Sequence, residues 1–386
     1  MAEPAPLIVF SDDWGRHPSS CQHLISQLLP RRQVVWVNTI GTRPPKLNWS
    51  TVTRGLEKMK QWFGISSASG GRESPVRQAA PTILNPKMWP SFRSRFGRSL
   101  NRQFLVRAVR PIAEAMPVPP VIITTLPLVA DLVGLIPAAR WVYYCVDDFG
   151  VWPGLDGRTL RDMEAELVTK VDVVIAVSET LQTHIAKLGK PSHLLTHGVD
   201  LRHFQLEHQP AASARAATFA ASASDVLFWG VIDRRMDIEF VRQLSESMTD
   251  STIHFVGPQD NPDPELSRLP RVMLLPSVPY EDLPALAAQA SVLIMPYADL
   301  PVTRAMQPLK LKEYLATGKP VVVRKLPATE SWADCCDVCD SPEQFSMAVL
   351  NRLRSGVSES QRLARARLVR ETWSAKAERF EKWLSD

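Results

Sequence analysis

The 386 residues carry 45% apolar and 22% charged side chains, with 45 Lys and Arg against 40 Asp and Glu. The apolar fraction is enough to bury real cores and the length suits two domains, which excludes a disordered tail and a small disulfide scaffold. The net charge of +5 is unevenly spread: residues 43–110 hold 14 Lys and Arg but only 2 Asp and Glu, so the basic excess sits in the first half and points to an anionic partner there.

The opening residues Met1–Pro6 lack a basic segment followed by an apolar one, and no run of 18 apolar residues follows anywhere. The expectation is a cytoplasmic protein without a membrane span. Leu7–Phe10 is a short apolar run ended by Ser11-Asp12-Asp13, Cys21–Leu29 has helical spacing, and Val34–Val37 is a second apolar run. This is the strand–helix–strand opening of a parallel α/β sheet. Further β-rich runs at 121–125, 141–146 and 171–177 continue it, each separated by a helix-length segment. An Ala/Ser-rich stretch, 206–224, reads as a linker. The alternation then restarts, with strands at 226–229, 252–256, 272–275, 292–295 and 321–323 and a helix at 238–247. A charged helical region, 359–384, ends the chain with Trp373 and Trp383 on it. The five cysteines are odd in number, and Cys336-x-x-Cys339 has no second pair to complete a zinc site, so no metal is expected.

The chain has no G-x-x-x-x-G-K-[ST], no G-x-G-x-x-G after its first strand, no G-x-S-x-G and no H-E-x-x-H. Its most informative segment is 295–323. A strand ends at Pro296-Tyr297 and a helix begins at Pro308, whose fixed φ suits a first helical residue. Gly318 and Pro320 stop that helix, and Leu311, Tyr314 and Leu315 form its buried stripe. Lys310 lies in the first turn, where a cation opposes the helix dipole unless an anion is bound. Glu313 follows one turn on, and its carboxylate can accept hydrogen bonds from a diol such as a ribose. On spacing alone a surface Lys–Glu pair competes with this reading.

The pattern Pro308-x-Lys310-x-x-Glu313-Tyr314-Leu315-Ala316-x-Gly318-Lys319-Pro320 resembles the donor-binding signature of GT-B glycosyltransferases. The resemblance implies two Rossmann-like α/β domains facing a cleft: an acceptor domain over 1–205, a linker over 206–224, a nucleotide-sugar domain over 225–365, and a crossover helix over 366–386 that returns to the first domain. It implies that Lys310 and the helix N-terminus hold a diphosphate and that Glu313 holds the ribose. Val177-Ser178-x-x-Leu181 and His197-Gly198-Val199-Asp200 resemble the end of the first domain. Gly230 with Arg234, and Gly257, resemble donor-facing loops, and Pro296, Tyr297, Met306, Gln307 and Leu309 complete the implied donor site. Trp14, Gln22-His23 and Tyr144-Cys145-x-Asp147-Asp148-Phe149 are similar to exopolysaccharide and teichuronic-acid type transferases, including glucuronosyltransferases. Many retaining members carry a Glu eight residues before the ribose-binding one; Ala305 stands there, which favours an inverting reaction.

An inverting transfer needs a base on the acceptor side and charge to hold the departing diphosphate. Asp147 and Asp148 end a buried strand and are the expected base pair; helix capping is the bland alternative. Asp12 and Asp13 compete for the role, with Asp13, Trp14, His17 and His23 as acceptor-side candidates. Lys310 and Arg234 are expected to stabilise the leaving group without a metal or other cofactor. The co-substrate would be a UDP- or GDP-sugar and the acceptor a glycan or a lipid-linked sugar. Trp49, Trp62, Phe63, Trp89, Phe92, Phe96 and Phe104 interleave with the basic residues of 43–110, which suits an anionic membrane surface at the inner face of the plasma membrane. Nucleic acid is not an expected partner. A non-catalytic sugar-nucleotide-binding scaffold and a sugar-nucleotide epimerase stay open beside the hexosyltransferase.

Overall fold

A computed structural model describes residues 4–15, 19–39, 80–205 and 226–385. His17, the linker 206–224 and the 43–79 part of the basic stretch lie outside them. The chain divides into two compact units: Met1–Ala176 with Gln182–His193 and Phe380–Asp386, and Val177–Leu181 with Leu194–Arg379. Residues 194–205 and 366–379, assigned from sequence to the first domain and to a separate crossover helix, therefore group with the second unit.

The first sheet has seven strands: β1 (Leu7–Ser11), β2 (Val34–Asn38), β3 (Thr82–Leu84), β4 (Val121–Thr124), β5 (Arg140–Cys145), β6 (Val173–Ala176) and β7 (His193–Leu194). Their order is β3-β2-β1-β4-β5-β6-β7, and β1 pairs in parallel with β2 and β4. β1 and β4 are buried along their whole length, as strands covered by helices on both faces must be. Helix Arg95–Glu114 buries Gly97, Asn101, Leu105, Val109 and Ala113, one residue per turn, and Ser94 caps it by accepting from the Gly97 N–H at 3.0 Å. The end of the last helix, Trp373–Ser385, completes this unit. Phe380 packs edge-on against Tyr144 with centroids 5.6 Å apart, Trp383 stacks on His193 at 4.6 Å, and Glu381 pairs with Arg32 at 2.9 Å.

The second unit repeats the plan. It is built on β8 (Val226–Trp229), the short β9 (Ile232–Asp233), β10 (Ile253–Val256), the short β11 (Gln259–Asp260), β12 (Val272–Leu275), β13 (Val292–Met295), β14 (Val321–Arg324) and β15 (Asp337–Cys339). The main sheet has the order β12-β10-β8-β13-β14-β15, while β9 and β11 pair separately. In both sheets the first strand of the unit sits centrally and the order reverses beside it, between β1 and β4 and between β8 and β13. Ligands of open α/β sheets bind at the carboxyl ends of strands at such reversals.

Two expectations change in detail. Pro308 caps helix Leu309–Ala316 from outside, with extended backbone (ψ 118), instead of being its first residue. The C-terminal region is not one long helix: a short helix Glu359–Ala364 and a 3-10 stretch Arg365–Glu371 precede helix Trp373–Ser385. The break at Thr372 has a cause. Val199 donates to the Glu371 carbonyl at 2.9 Å and accepts from the Trp373 N–H at 3.3 Å, so a β-bridge replaces the helical ladder there.

A candidate nucleotide-binding site in the second unit

β8 leads into Gly230 after Trp229, and its sheet neighbour β10 leads into Gly257 after Val256. Gly230 and Gly257 have φ of +135° and +155°, which side chains rarely adopt. A Cβ on Gly257 would lie 1.9 Å from the Gly230 carbonyl oxygen, and one on Gly230 would lie 2.5 Å from Lys310 Nζ. The two loops thus pack backbone to backbone, and the lysine lies over them. This is the reason for glycine at both positions.

Lys310 projects from the first turn of helix Leu309–Ala316, whose cap supplies no side-chain acceptor to its leading N–H groups. Its ammonium donates to the Tyr297 hydroxyl and lies 5.0 and 5.1 Å from the ring centroids of Tyr297 and Phe228. Cation–π contact and a neutral oxygen hold the charge without cancelling it. Glu313 does not pair with it; its Oε2 accepts from Trp229 Nε1 at 3.3 Å. Part of Glu313 reaches the surface, yet the rings around its carboxyl strip it of water and push its pKa up to about 7, against the opposing pull of Trp229 and Lys310. The competing surface Lys–Glu pair is thereby set aside.

Aromatic side chains frame that carboxyl. Trp229 and Tyr314 meet edge to face at 4.2 Å, Phe204 stacks on Trp229 at 6.2 Å, and His203 stacks on Tyr280 at 4.4 Å. Burial, then Glu313 and Asp200, drive the Tyr280 hydroxyl above the usual phenol range. The Tyr314 hydroxyl accepts from the Trp229 N–H at 2.9 Å and donates to the Trp229 carbonyl at 3.3 Å, locking the helix to the end of β8. Lys312, 1% exposed, locks the other side of the helix: it donates to the His197 carbonyl at 2.5 Å and pairs with Glu371, and burial pushes its pKa down to about 8.

The guanidinium brought to this site belongs to Arg235, not Arg234. Arg234 is half-exposed and 3.5 Å from Asp263. Arg235 is 8% exposed, clamped on Asp233 at 2.8 Å, 5.6 Å from the Tyr297 centroid and 3.9 Å from Met306 Sδ. Beside it, the Pro296 carbonyl accepts from the Asp237 N–H at 2.8 Å. Met306, Gln307 and Pro308 are buried, Leu309 is half-buried, and the Ala305 carbonyl accepts from Ser178 Oγ at 2.6 Å. Asp233-x-Arg235 was the signal available in sequence, an acid two residues before a base, which the fold closes into a turn. Trp229, His203, Tyr280 and Lys312 carried none, since their neighbours come from distant segments.

The acceptor-side candidates fall in the first unit. Asp12 Oδ1 accepts from Ser11 at 2.9 Å and Ser19 at 3.1 Å, and Oδ2 accepts from Gln22 at 3.0 Å. Gln22 also donates to the Asp13 carbonyl at 3.2 Å and accepts from Gly15 at 3.0 Å. Trp14 sits edge-on against Trp36, 4.7 Å between centroids, and His23 is half-buried in helix Ser20–Ser26. At the end of β5, Asp148 Oδ1 accepts from the Gly150 N–H at 3.0 Å, closing a turn, and the Asp147 carbonyl lies 4.0 Å from Cys145 Sγ. Among the described residues no group of three His, Cys, Asp or Glu is arranged to hold a metal, and no helix is long and apolar enough to cross a membrane.

Residues 224–355 match the family model described as "Glycosyl transferases group 1". A teichuronic acid biosynthesis glycosyltransferase of Bacillus subtilis, TuaH, is 28% identical over 180 residues, 45% of either chain, so the match spans under half of that relative's length. Among solved structures, Anabaena HepE in complex with UDP-glucose aligns over 99% of both chains at TM-score 0.67 and 13% identity. Sucrose-phosphate synthase from Thermosynechococcus elongatus aligns over 98% of both at TM-score 0.69 and 16% identity. A trehalose-6-phosphate protein from E. coli, bound with UDP-2-fluoro glucose, aligns over 98% of this chain and 99% of its own at TM-score 0.67 and 12% identity. The fold is GT-B, and the resemblance carried by Pro308–Pro320 is borne out.

Proposed function

We propose that this protein is a glycosyltransferase that moves a sugar from a nucleotide donor, a UDP-sugar in the first instance, to a glycan or lipid-linked acceptor in cell-envelope polysaccharide assembly. One observation carries the reading: Lys310 lies uncancelled over the Gly230–Gly257 loops at the β8/β13 reversal, one helical turn from a carboxyl framed by aromatic rings. The diphosphate would lie at the helix N-terminus against Lys310, and the ribose would donate to Glu313. Likeness to structures solved with UDP-glucose and to a teichuronic acid transferase supports the same donor class and pathway.

The reaction is proposed to be inverting and to use no metal, with Lys310 offsetting the charge that develops on the leaving diphosphate. Asp147 and Asp148 are the proposed acceptor-side carboxylates. Peripheral attachment to an anionic membrane is proposed through the basic stretch. In its described part Trp89 is 46% and Phe96 72% exposed, with exposed Arg95, Arg102 and Arg107 on the same helix as Phe96. A donor screen tests the reading: nucleotide release from UDP-, GDP- and TDP-sugars with a lipid extract as acceptor. Release from one donor class, dependent on the extract, is expected; no release from any donor refutes it. Vesicles containing anionic lipid should bind the protein and release it at high salt, and equal binding to neutral vesicles would refute the membrane reading.

A further inference from the structure

Glu164 lies in the middle of helix Gly157–Lys170 with its side chain 4% exposed. A carboxylate out of water must have its lone pairs filled. Its Oε1 accepts from the Tyr143 hydroxyl at 2.6 Å and from the Cys145 thiol at 3.9 Å, both from β5. Its Oε2 is 2.7 Å from Nε2 of His184, which comes from helix Glu179–Lys187 and is 27% exposed at its side chain. One nitrogen of the imidazole is thus anchored inside the first unit, on a side chain that is partly exposed.

The geometry decides which nitrogen can act. A buried carboxylate accepts, so Nε2 carries the hydrogen of the neutral ring and Nδ1 keeps the lone pair. An imidazole oriented in this way by a buried acid is the arrangement that proton-transfer sites use. Glu164 holds the His184 pKa above the ordinary imidazole range; Asp148 acts in the same sense, while partial burial and Lys187 oppose it. The field of Asp148 reaches His184, and those of Asp147 and Asp148 reach Cys145, so the dyad and the end of β5 form one acid–base cluster. Within that cluster one oxygen of Asp148 is spent on its turn, and the Gly150 carbonyl is tied to Arg161 Nη1 at 2.6 Å.

We infer that Glu164 and His184 form a general-base dyad for the acceptor hydroxyl, with His184 Nδ1 taking the proton and Glu164 orienting the ring. The inference rests on the transfer reaction proposed above and adds a base beside Asp147 and Asp148. As the hydroxyl oxygen bonds to the anomeric carbon, its proton moves to Nδ1. The bond from that carbon to the diphosphate oxygen breaks, and its electron pair leaves with the nucleoside diphosphate. The imidazolium later returns the proton to water.

Steady-state transfer by the full chain, measured from pH 5.5 to 9, tests this. His184→Gln should lower kcat roughly 100-fold with donor affinity unchanged, and added imidazole should partly restore turnover of His184→Ala. Glu164→Gln should cost about tenfold or more and move the acid limb of the pH profile downward, in step with the His184 titration followed by NMR. The partly exposed His184 side chain makes His184→Gln the test that survives if Glu164→Gln fails to fold. An active protein whose His184→Gln variant stays within twofold of wild type overturns this inference alone. A wild-type protein that transfers no sugar overturns the transfer reading and this assignment with it.

Discussion

The reversal points of the two sheets share a strand order and differ in chemistry. At β1/β4, Ser11 Oγ meets Thr125 Oγ1 at 2.8 Å, and Asp12 takes up the hydroxyls of Ser11 and Ser19 and the amide of Gln22. Every strong group there is turned on another. At β8/β13, two glycines bring the backbone close, and a lysine is held by a phenol and two rings instead of a carboxylate. Topology supplies the crevice in both places. Whether it suits a neutral hydroxyl-rich ligand or a diphosphate depends on a few side chains and on whether their charge is already cancelled.

Breaking the second crevice should be easiest at its backbone. Gly257→Ala places a methyl into the Gly230 carbonyl and should lower stability by roughly 3 kcal/mol or more, read as an earlier denaturant transition. Lys310→Ala should leave folding intact and weaken UDP binding by about 10- to 100-fold in calorimetry, the worth of one charge-assisted phosphate contact. Unchanged affinity would remove the phosphate site.

Asp12→Ala sharpens the contrast from the other side. It should cost about 1 kcal/mol of stability, because Ser19 and Gln22 lose an acceptor that is open to water, and it should leave UDP affinity untouched. The smallest effect concerns pH. Glu313 titrates at about 7 in the fold against an ordinary carboxyl value of 4.5, so the folded state holds the proton more tightly than the unfolded one. Stability should therefore fall as pH rises from about 4.5 through 7. A ribose diol prefers the ionised acceptor, so UDP-glucose affinity should rise over the same upper range. Glu313→Gln should flatten both trends; an unchanged slope would place the titration elsewhere.

Much of the fold was legible because parallel strands buried on both faces must be short apolar runs. All ten such runs became strands, within one or two residues at their ends. β3, β7, β9, β11 and β15 escaped because strands of two or three residues carry no period. The donor segment was legible because its helix start, its lysine, its carboxylate and its stop lie within fifteen residues. Which of the adjacent Arg234 and Arg235 turns inward was not legible, because both lie in the turn that the Met236 N–H closes on the Asp233 carbonyl, where strand alternation gives no guide. The Glu164–His184 dyad joins residues twenty apart on two helices, and no local pattern marks it.

Chain order alone was enough to establish two α/β units and a helix start with a lysine in its first turn, because burial and capping are local demands that write themselves into neighbouring residues. Only the folded chain could decide that Lys310 stays uncancelled, that Glu313 loses water to Trp229 and its aromatic neighbours, and that His184 is anchored by a buried acid. Those properties depend on which distant side chains share a low-dielectric space, and that is a matter of packing.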